Sequence, residues 1–220
     1  MQDCEILKRI DHTLLKQNAT FSQVKRLCDE AAAYHMASVC LNPVFVERAV
    51  EYLQGKVPVC TVIGFPLGAT TTGTKVHEAR ECLEHGCDEF DMVISVGLLK
   101  EKNFAAVLED MLAVRQAVEG KILKVIVETC LLTQDEKRTM CELVCKARAD
   151  FIKTSTGFSV AGAHVEDVQL FAQELQGRCK IKAAGGIRTR EDMVRFLQAG
   201  ADRIGCSSAQ KAFSLPPVRD

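Results

Sequence analysis

Short apolar runs of strand length alternate with segments of helical period all the way from Arg9 to Ser208, and no Pro/Gly/Ser-rich linker interrupts the series. The runs are Arg9–Leu15, Ala37–Leu41, Val57–Gly64, Cys87–Ile94, Ile122–Glu128, Asp150–Lys153, Cys179–Ala184 and Arg203–Cys206. Between them, residues 21–36 place Val24, Leu27, Cys28, Ala31, Ala32 and His35 on one stripe, and residues 102–118 do the same with Phe104, Val107, Leu108, Met111, Leu112 and Val118. Further helices are expected after Asn42-Pro43, over Lys75–Gly86, from Thr133, over 164–176, over 189–199 and from Ser207-Ser208, with a short leading helix at 3–8. Thr133-Gln-Asp-Glu136 has the form of a capping box, and Thr189 with Asp192 also resembles a helix start. Strict strand–helix alternation implies right-handed crossovers and a parallel sheet. Eight such units predict an α/β protein with a closed (β/α)8 TIM barrel, residues 1–220 forming one catalytic domain; an open doubly wound sheet is the alternative.

Composition removes several classes of function. Of the 220 residues 47% are hydrophobic and 26% charged, with a formal net charge of −1, so neither a nucleic acid nor an anionic membrane has a basic surface to meet. No apolar run approaches the roughly 18 residues that span a bilayer, and Met1-Gln-Asp-Cys-Glu5 lacks the basic and apolar regions of a signal peptide. The 11 cysteines form no C-x-x-C pair and fall mostly in predicted strands (Cys40, Cys60, Cys130, Cys179) and helices (Cys28, Cys82, Cys141, Cys145). They read as reduced, small core hydrophobes of a cytoplasmic protein. The five histidines are dispersed, so no metal and no cofactor is expected.

The chemistry points to the strand ends. Barrel active sites lie at the C-terminal ends of the strands. Asp150-Phe-Ile-Lys153 and Ile181-Lys182 each run apolar residues into a lysine that a Thr/Ser/Gly or Gly-Gly loop follows, and lysine is seldom buried without a partner. Asp11, Asp91 and Glu128 fall near the ends of strands one, four and five, with Asp91 expected across the mouth from the two lysines. A nucleophilic lysine, normally of pKa about 10.4, must be neutral, and a cationic neighbour such as protonated Lys182 beside Lys153 is one way to make it so. Either lysine alone could equally snorkel to water or pair with a carboxylate. Ser155-Thr156-Gly157, Gly185-Gly186 and Ser207-Ser208 follow the last three strands, where barrel enzymes commonly bind phosphate. A phosphate-binding isomerase or lyase without a covalent intermediate, or a sugar-phosphate binding protein, would use the same loops.

Motifs along nearly the whole chain resemble the deoxyribose-phosphate aldolase family: Asp11-His-Thr-Leu-Leu15, Val39-Cys-Leu-Asn-Pro43, Gly64-Phe-Pro-Leu-Gly-Ala-Thr-Thr-Thr72, Asp88-Glu-Phe-Asp-Met-Val-Ile94, Lys124-Val-Ile-Val-Glu-Thr129, Phe151-Ile-Lys-Thr-Ser-Thr-Gly-Phe158 and Lys182-Ala-Ala-Gly-Gly-Ile-Arg-Thr189. The resemblance implies reversible cleavage of 2-deoxy-D-ribose 5-phosphate to acetaldehyde and D-glyceraldehyde 3-phosphate through a lysine Schiff base. It implies that Lys153 is the nucleophile, Lys182 the cation beside it and Asp91 the acid/base carboxylate. It further implies that Asp11, Thr13 and Cys40 line the pocket, that Thr156, Gly157, Gly186, Ser207 and Ser208 form its phosphate end, and that the chain forms a homodimer or higher homo-oligomer. The sequence departs from the family pattern at Ser95-Val96-Gly97, at Ser159–Ala163 and in the tail Phe213–Asp220.

Overall fold

A computed structural model describes residues 1–216 and 218. Eight strands pair in parallel, each with the next, and β1 closes on β8: β1 Ile10–Leu14, β2 Ser38–Leu41, β3 Val59–Ile63, β4 Glu89–Val93, β5 Ile122–Ile126, β6 Phe151–Lys153, β7 Lys180–Ala184 and β8 Arg203–Cys206. The barrel expected from the alternation is therefore the observed fold, and the open sheet is excluded.

Among the described residues ten helices surround it: α1 Asp3–Leu7, α2 Phe21–Ala33, α3 Val46–Leu53, α4 Thr72–Glu84, α5 Val96–Lys100, α6 Phe104–Ala117, α7 Gln134–Lys146, α8 Val165–Leu175, α9 Arg190–Gln198 and α10 Ala209–Ala212. Thr133 with Glu136 and Thr189 with Asp192 form the two expected capping boxes, so both side chains satisfy amides that a helix start leaves unpaired. Some boundaries differ from the sequence reading. Asn42-Pro43 opens a 3₁₀ turn, Pro43–Phe45, before α3 begins. α4 starts at Thr72 because Thr71 accepts from the Thr74 N–H. α5 is five residues long, too short to show a period, and was not expected. Cys130 lies in a 3₁₀ turn, Thr129–Leu131, and not in a strand, because the chain leaves the sheet at Glu128. Among the described residues no helix is long and apolar enough to cross a membrane. The atypical tail falls partly on Pro217, Arg219 and Asp220, outside the described residues.

The pleat divides each strand between two environments. Outward residues such as Val39, Phe90, Met92, Leu123, Val125, Ile152, Ile181 and Ile204 join the main core beneath the helices. Their inward alternates are mostly polar: Asp11 and Thr13 on β1, Ser38 and Cys40 on β2, Glu89 and Asp91 on β4, Lys124 on β5, Lys153 on β6, Lys182 on β7 and Arg203 on β8. Within the barrel, Leu15, Cys40, Cys60 and Val62 form a small separate apolar cluster against Phe65.

Candidate active site

Asp91 stands at the centre of the polar interior and is fully buried. Its Oδ2 accepts hydrogen bonds from Lys153 Nζ at 2.8 Å and Lys182 Nζ at 2.6 Å. Its Oδ1 accepts from Lys124 Nζ at 2.9 Å and from the Cys60 thiol at 3.3 Å. The carboxylate thus lies between the two lysines in direct contact with both, and not across the mouth from them. The register explains the meeting: Lys153 and Lys182 are paired residues on β6 and β7, and Asp91 pairs with Lys124 on β4 and β5.

A second tier lies beside it. Asp11 contacts the Lys182 ammonium and accepts from Arg203 Nη1 at 2.5 Å and from Ser38 Oγ at 2.8 Å. Glu89 pairs with Lys124 at 2.6 Å and with Arg203 at 3.4 Å. Lys124, Lys153, Lys182 and Arg203 therefore share the three carboxylates Asp11, Glu89 and Asp91. Burial would by itself neutralise each group. Mutual attraction outweighs it: burial raises the Asp91 carboxyl, but Lys124, Lys153 and Lys182 bring it well below the usual carboxylate range. Burial likewise works against the charge on Lys182, and Asp11 and Asp91 reverse this and raise it above an ordinary lysine. Lys124 is raised in the same way, chiefly by Asp91. The neighbouring Cys60 side chain draws the Cys40 thiol down, whereas burial pushes Cys60 itself well up.

Lys153 is the member of this cluster that reaches the mouth cavity. It borders a cavity of about 370 Å³ at the C-terminal mouth, with Thr13, Thr156, Gly157, Gly186 and Ser207 also in its wall. Six of the expected site residues therefore meet at one cavity. Asp91 and Lys182 lie immediately beneath it. Asp11 and Cys40 are fully buried, Asp11 in contact with Ser38, Lys182 and Arg203, and Cys40 in the small apolar cluster. Their place is behind the pocket wall and not on it. Ser208 also lies off the wall, its hydroxyl donating to the Arg188 carbonyl at 3.4 Å. Thr156 lines the cavity, yet its hydroxyl is turned away, donating to Glu128 Oε2 at 2.5 Å.

Four residues were not singled out from the sequence. Lys124 interrupts the apolar run Ile122–Val127 as conspicuously as Lys153 interrupts its own strand, so the signal was present. Glu89 stands two residues before Asp91, which the strand period puts on the same face. Arg203 opens a strand and gives no such sign. Arg188 lines the cavity from the loop after β7 and is the one cationic side chain besides Lys16 and Lys153 in that wall.

A closed parallel barrel with a buried lysine–carboxylate cluster under its C-terminal mouth defines an α/β-barrel enzyme built for carbonyl chemistry. A family model described as DeoC/LacD family aldolase matches residues 5–214, and the chain belongs to that family of carbon–carbon lyases. It is 48% identical over 215 residues to a deoxyribose-phosphate aldolase of Clostridioides difficile, covering 98% of each chain. It is 53% identical over 204 residues to one from Streptococcus equi subsp. zooepidemicus, covering 92% of this chain and 93% of the relative. Among solved structures, the tetrameric deoxyribose phosphate aldolase from Aeropyrum pernix superposes with a TM-score of 0.89 at 35% identity, covering 97% of this chain and 91% of that one.

Proposed function

We propose that the chain catalyses the reversible cleavage of 2-deoxy-D-ribose 5-phosphate to acetaldehyde and D-glyceraldehyde 3-phosphate, with Lys153 forming a Schiff base. The observation that carries this reading is Lys153 itself: its Nζ touches Asp91 and Lys153 borders the mouth cavity. Four cations share three carboxylates in the cluster, so loss of one ammonium proton balances its charge. Asp11 and Asp91 hold Lys182 as a cation, and Lys153 is the lysine that borders the cavity.

The Lys153 nitrogen lone pair attacks C1 of the open-chain sugar, and water leaves as the iminium forms. The products are a two-carbon and a three-carbon aldehyde, so the bond that breaks is C2–C3. Asp91, acting through a water, takes the proton from the C3 hydroxyl. The C2–C3 electron pair moves to C1–C2 and neutralises the iminium, leaving an enamine of acetaldehyde. Protonation at C2 restores the iminium, and water releases acetaldehyde and the free lysine. The sugar phosphate sits toward Gly157, Gly186, Ser207 and Ser208, where the loops after β6, β7 and β8 converge and Arg188 adds positive charge. Thr13 supports the sugar from β1, and Asp11 and Cys40 act from behind.

The whole chain, residues 1–220, is read as one catalytic unit acting in the cytoplasm on small-molecule substrates, as a homodimer or higher homo-oligomer. The high identity to named aldolases over nearly the full chain supports the substrate. The tetrameric Aeropyrum relative supports self-association.

Borohydride reduction in the presence of deoxyribose 5-phosphate, followed by peptide mass spectrometry, tests the reading. The expected result is a reduced adduct on the peptide that holds Lys153. An adduct on Lys182 exchanges the roles of the two lysines, and substrate binding without any adduct refutes the covalent route.

A further inference from the structure

Glu128 carries two energetic costs at once. Its backbone is left-handed, with φ +57°, a conformation that a non-glycine residue adopts only at a cost. Its carboxylate is buried, the residue being 4% exposed, and among the described residues no cation pairs with it. What it does meet is chiefly one loop, the Cys130 thiol lying farther off at 4.0 Å from Oε1. Oε2 accepts from Thr156 Oγ1 at 2.5 Å and Oε1 accepts from the Thr156 N–H at 3.2 Å. Thr156 Oγ1 in turn accepts from the Phe158 N–H at 3.1 Å. The backbone ties the same two segments together: Val127 N–H donates to the Lys153 carbonyl at 3.0 Å and Thr129 N–H to the Thr154 carbonyl at 2.9 Å. The left-handed turn at Glu128 sits between those two bonds, and its side chain meets the Thr156 hydroxyl and amide.

The loop so held matters for two reasons. It begins at Lys153, and its Gly157, at φ +85°, forms part of the cavity wall. Beyond it, the loops after β6 and β7 interlock so closely that a Cβ on Gly162 would stand 2.3 Å from the Gly185 carbonyl oxygen. A shift at Thr156 would therefore be passed to Gly185 and Gly186.

We infer that Glu128 is a positioning residue which, through Thr156, fixes the turn after β6 so that its backbone can receive the phosphate end of the substrate. Glu128 touches neither the reacting carbons nor Lys153, and its influence is on phosphate binding. The inference deepens the proposed function and rests on that reading for the identity of the substrate.

The test is Glu128→Gln, which keeps the shape but offers an N–H where one of Thr156's donors needs an acceptor. With deoxyribose 5-phosphate, KM rises about tenfold and kcat stays within about twofold, the effect of one lost charge-assisted hydrogen bond expressed in ground-state binding. With unphosphorylated 2-deoxyribose, which makes no use of the phosphate loops, kcat/KM stays within about twofold. Inorganic phosphate, titrated calorimetrically, binds about tenfold more weakly. Thr156→Val has the same effect, and the double variant is no worse than either single one, as expected of two residues acting as one device. Equal losses on both sugars, or a fall in kcat at unchanged KM, overturn the inference. If Glu128→Gln does not fold, Thr156→Val carries the comparison alone. Phosphate titration needs no turnover, so a wild-type enzyme giving no borohydride adduct refutes the Schiff base and leaves the loop clamp to be judged by phosphate binding.

Discussion

Lys153 and Lys182 donate to the same carboxylate oxygen, Asp91 Oδ2, at 2.8 and 2.6 Å. Removing that anion while keeping its shape separates its two duties. Asp91→Asn leaves four cations facing two carboxylates in a buried space. Loss of a general acid/base group lowers kcat by about 100-fold or more, and the uncompensated positive charge lowers the thermal midpoint in the same variant. A variant with normal kcat would remove Asp91 from the chemistry. Steady-state kinetics and a melting curve on one preparation read both effects.

In the proposed reaction Lys182 is the cation beside the nucleophile. In Lys182→Ala that neighbouring charge is gone, so residual cleavage moves to higher pH. The measurement is kcat against pH from about 6 to 10. A profile that only drops in height, without moving, would show that Lys182 acts through packing or binding and not through charge.

Lys124 offers a prediction about stability. It is fully buried and bonds Asp91 and Glu89 at 2.9 and 2.6 Å. Lys124→Ala takes a short buried ion pair from Asp91 and from Glu89, leaving Glu89 only Arg203 at 3.4 Å, and costs about 3–5 kcal/mol in denaturant unfolding. Lys100 also pairs with a glutamate, Glu136 at 2.7 Å, but its side chain is 42% exposed. Lys100→Ala costs well under about 1 kcal/mol. Comparable values for the two would mean that the interior cluster contributes no more than a surface pair.

The same cluster sets the pH range of stability. Asp11 and Asp91 are depressed below the ordinary 3.8, so their contribution is complete above about pH 4–5 and is lost as acid takes the folded carboxylates through their own lower values. Lys124 and Lys182 are raised above 10.5, so their contribution is complete below about pH 10 and is lost only in stronger base. The denaturant midpoint should stay nearly level from about pH 5 to 9. In Asp91→Asn the level region should fall on its acid side less steeply than in the wild type, since one depressed carboxylate is gone. An unfolding curve that peaks sharply inside that range would contradict the assignment.

Gly68 tests the rim. It has φ +66°, and a Cβ there would stand 1.9 Å from the Ile94 carbonyl oxygen at the end of β4. Gly177 has φ +81° with nothing within 4 Å of such an atom. Gly177→Ala should cost only the backbone penalty, about 1 kcal/mol. Gly68→Ala should cost several times that and reduce cleavage, because β4 carries Asp91. Equal melting temperatures for the two variants would show that the 65–71 loop yields without cost.

The barrel was legible because the strand–helix rhythm is carried by many residues at once, and an error of a few positions at any boundary leaves it intact. Lys153 and Lys182 were legible because each breaks an apolar strand just before a small-residue loop. Lys124 breaks one too, but four residues before Glu128, the polar end of that apolar run. The facing of side chains was harder to read. Thr156 looked like a phosphate ligand because hydroxyls in such loops usually point at the ligand; here a buried carboxylate from the preceding unit captures it. Asp11 and Cys40 stand on the right strands, but only the pairing of Asp11 with Ser38 and of Cys40 with Cys60 reveals how deep they lie.

The closure of β1 on β8 has a consequence for how the protein comes into being. Asp11 and Arg203 form one ion pair across 192 positions of sequence. A ribosome adding about 5–20 residues per second delivers the second partner roughly ten seconds or more after the first. Until then Asp11 lacks Arg203, and β1 and the growing edge both present unpaired backbone. The half-made barrel must wait with its charged interior open to water, and catalytic competence arrives in a single late event when the last strand docks. The polar lining that serves the reaction also keeps that waiting form wet, which protects an unfinished sheet from sticking to another.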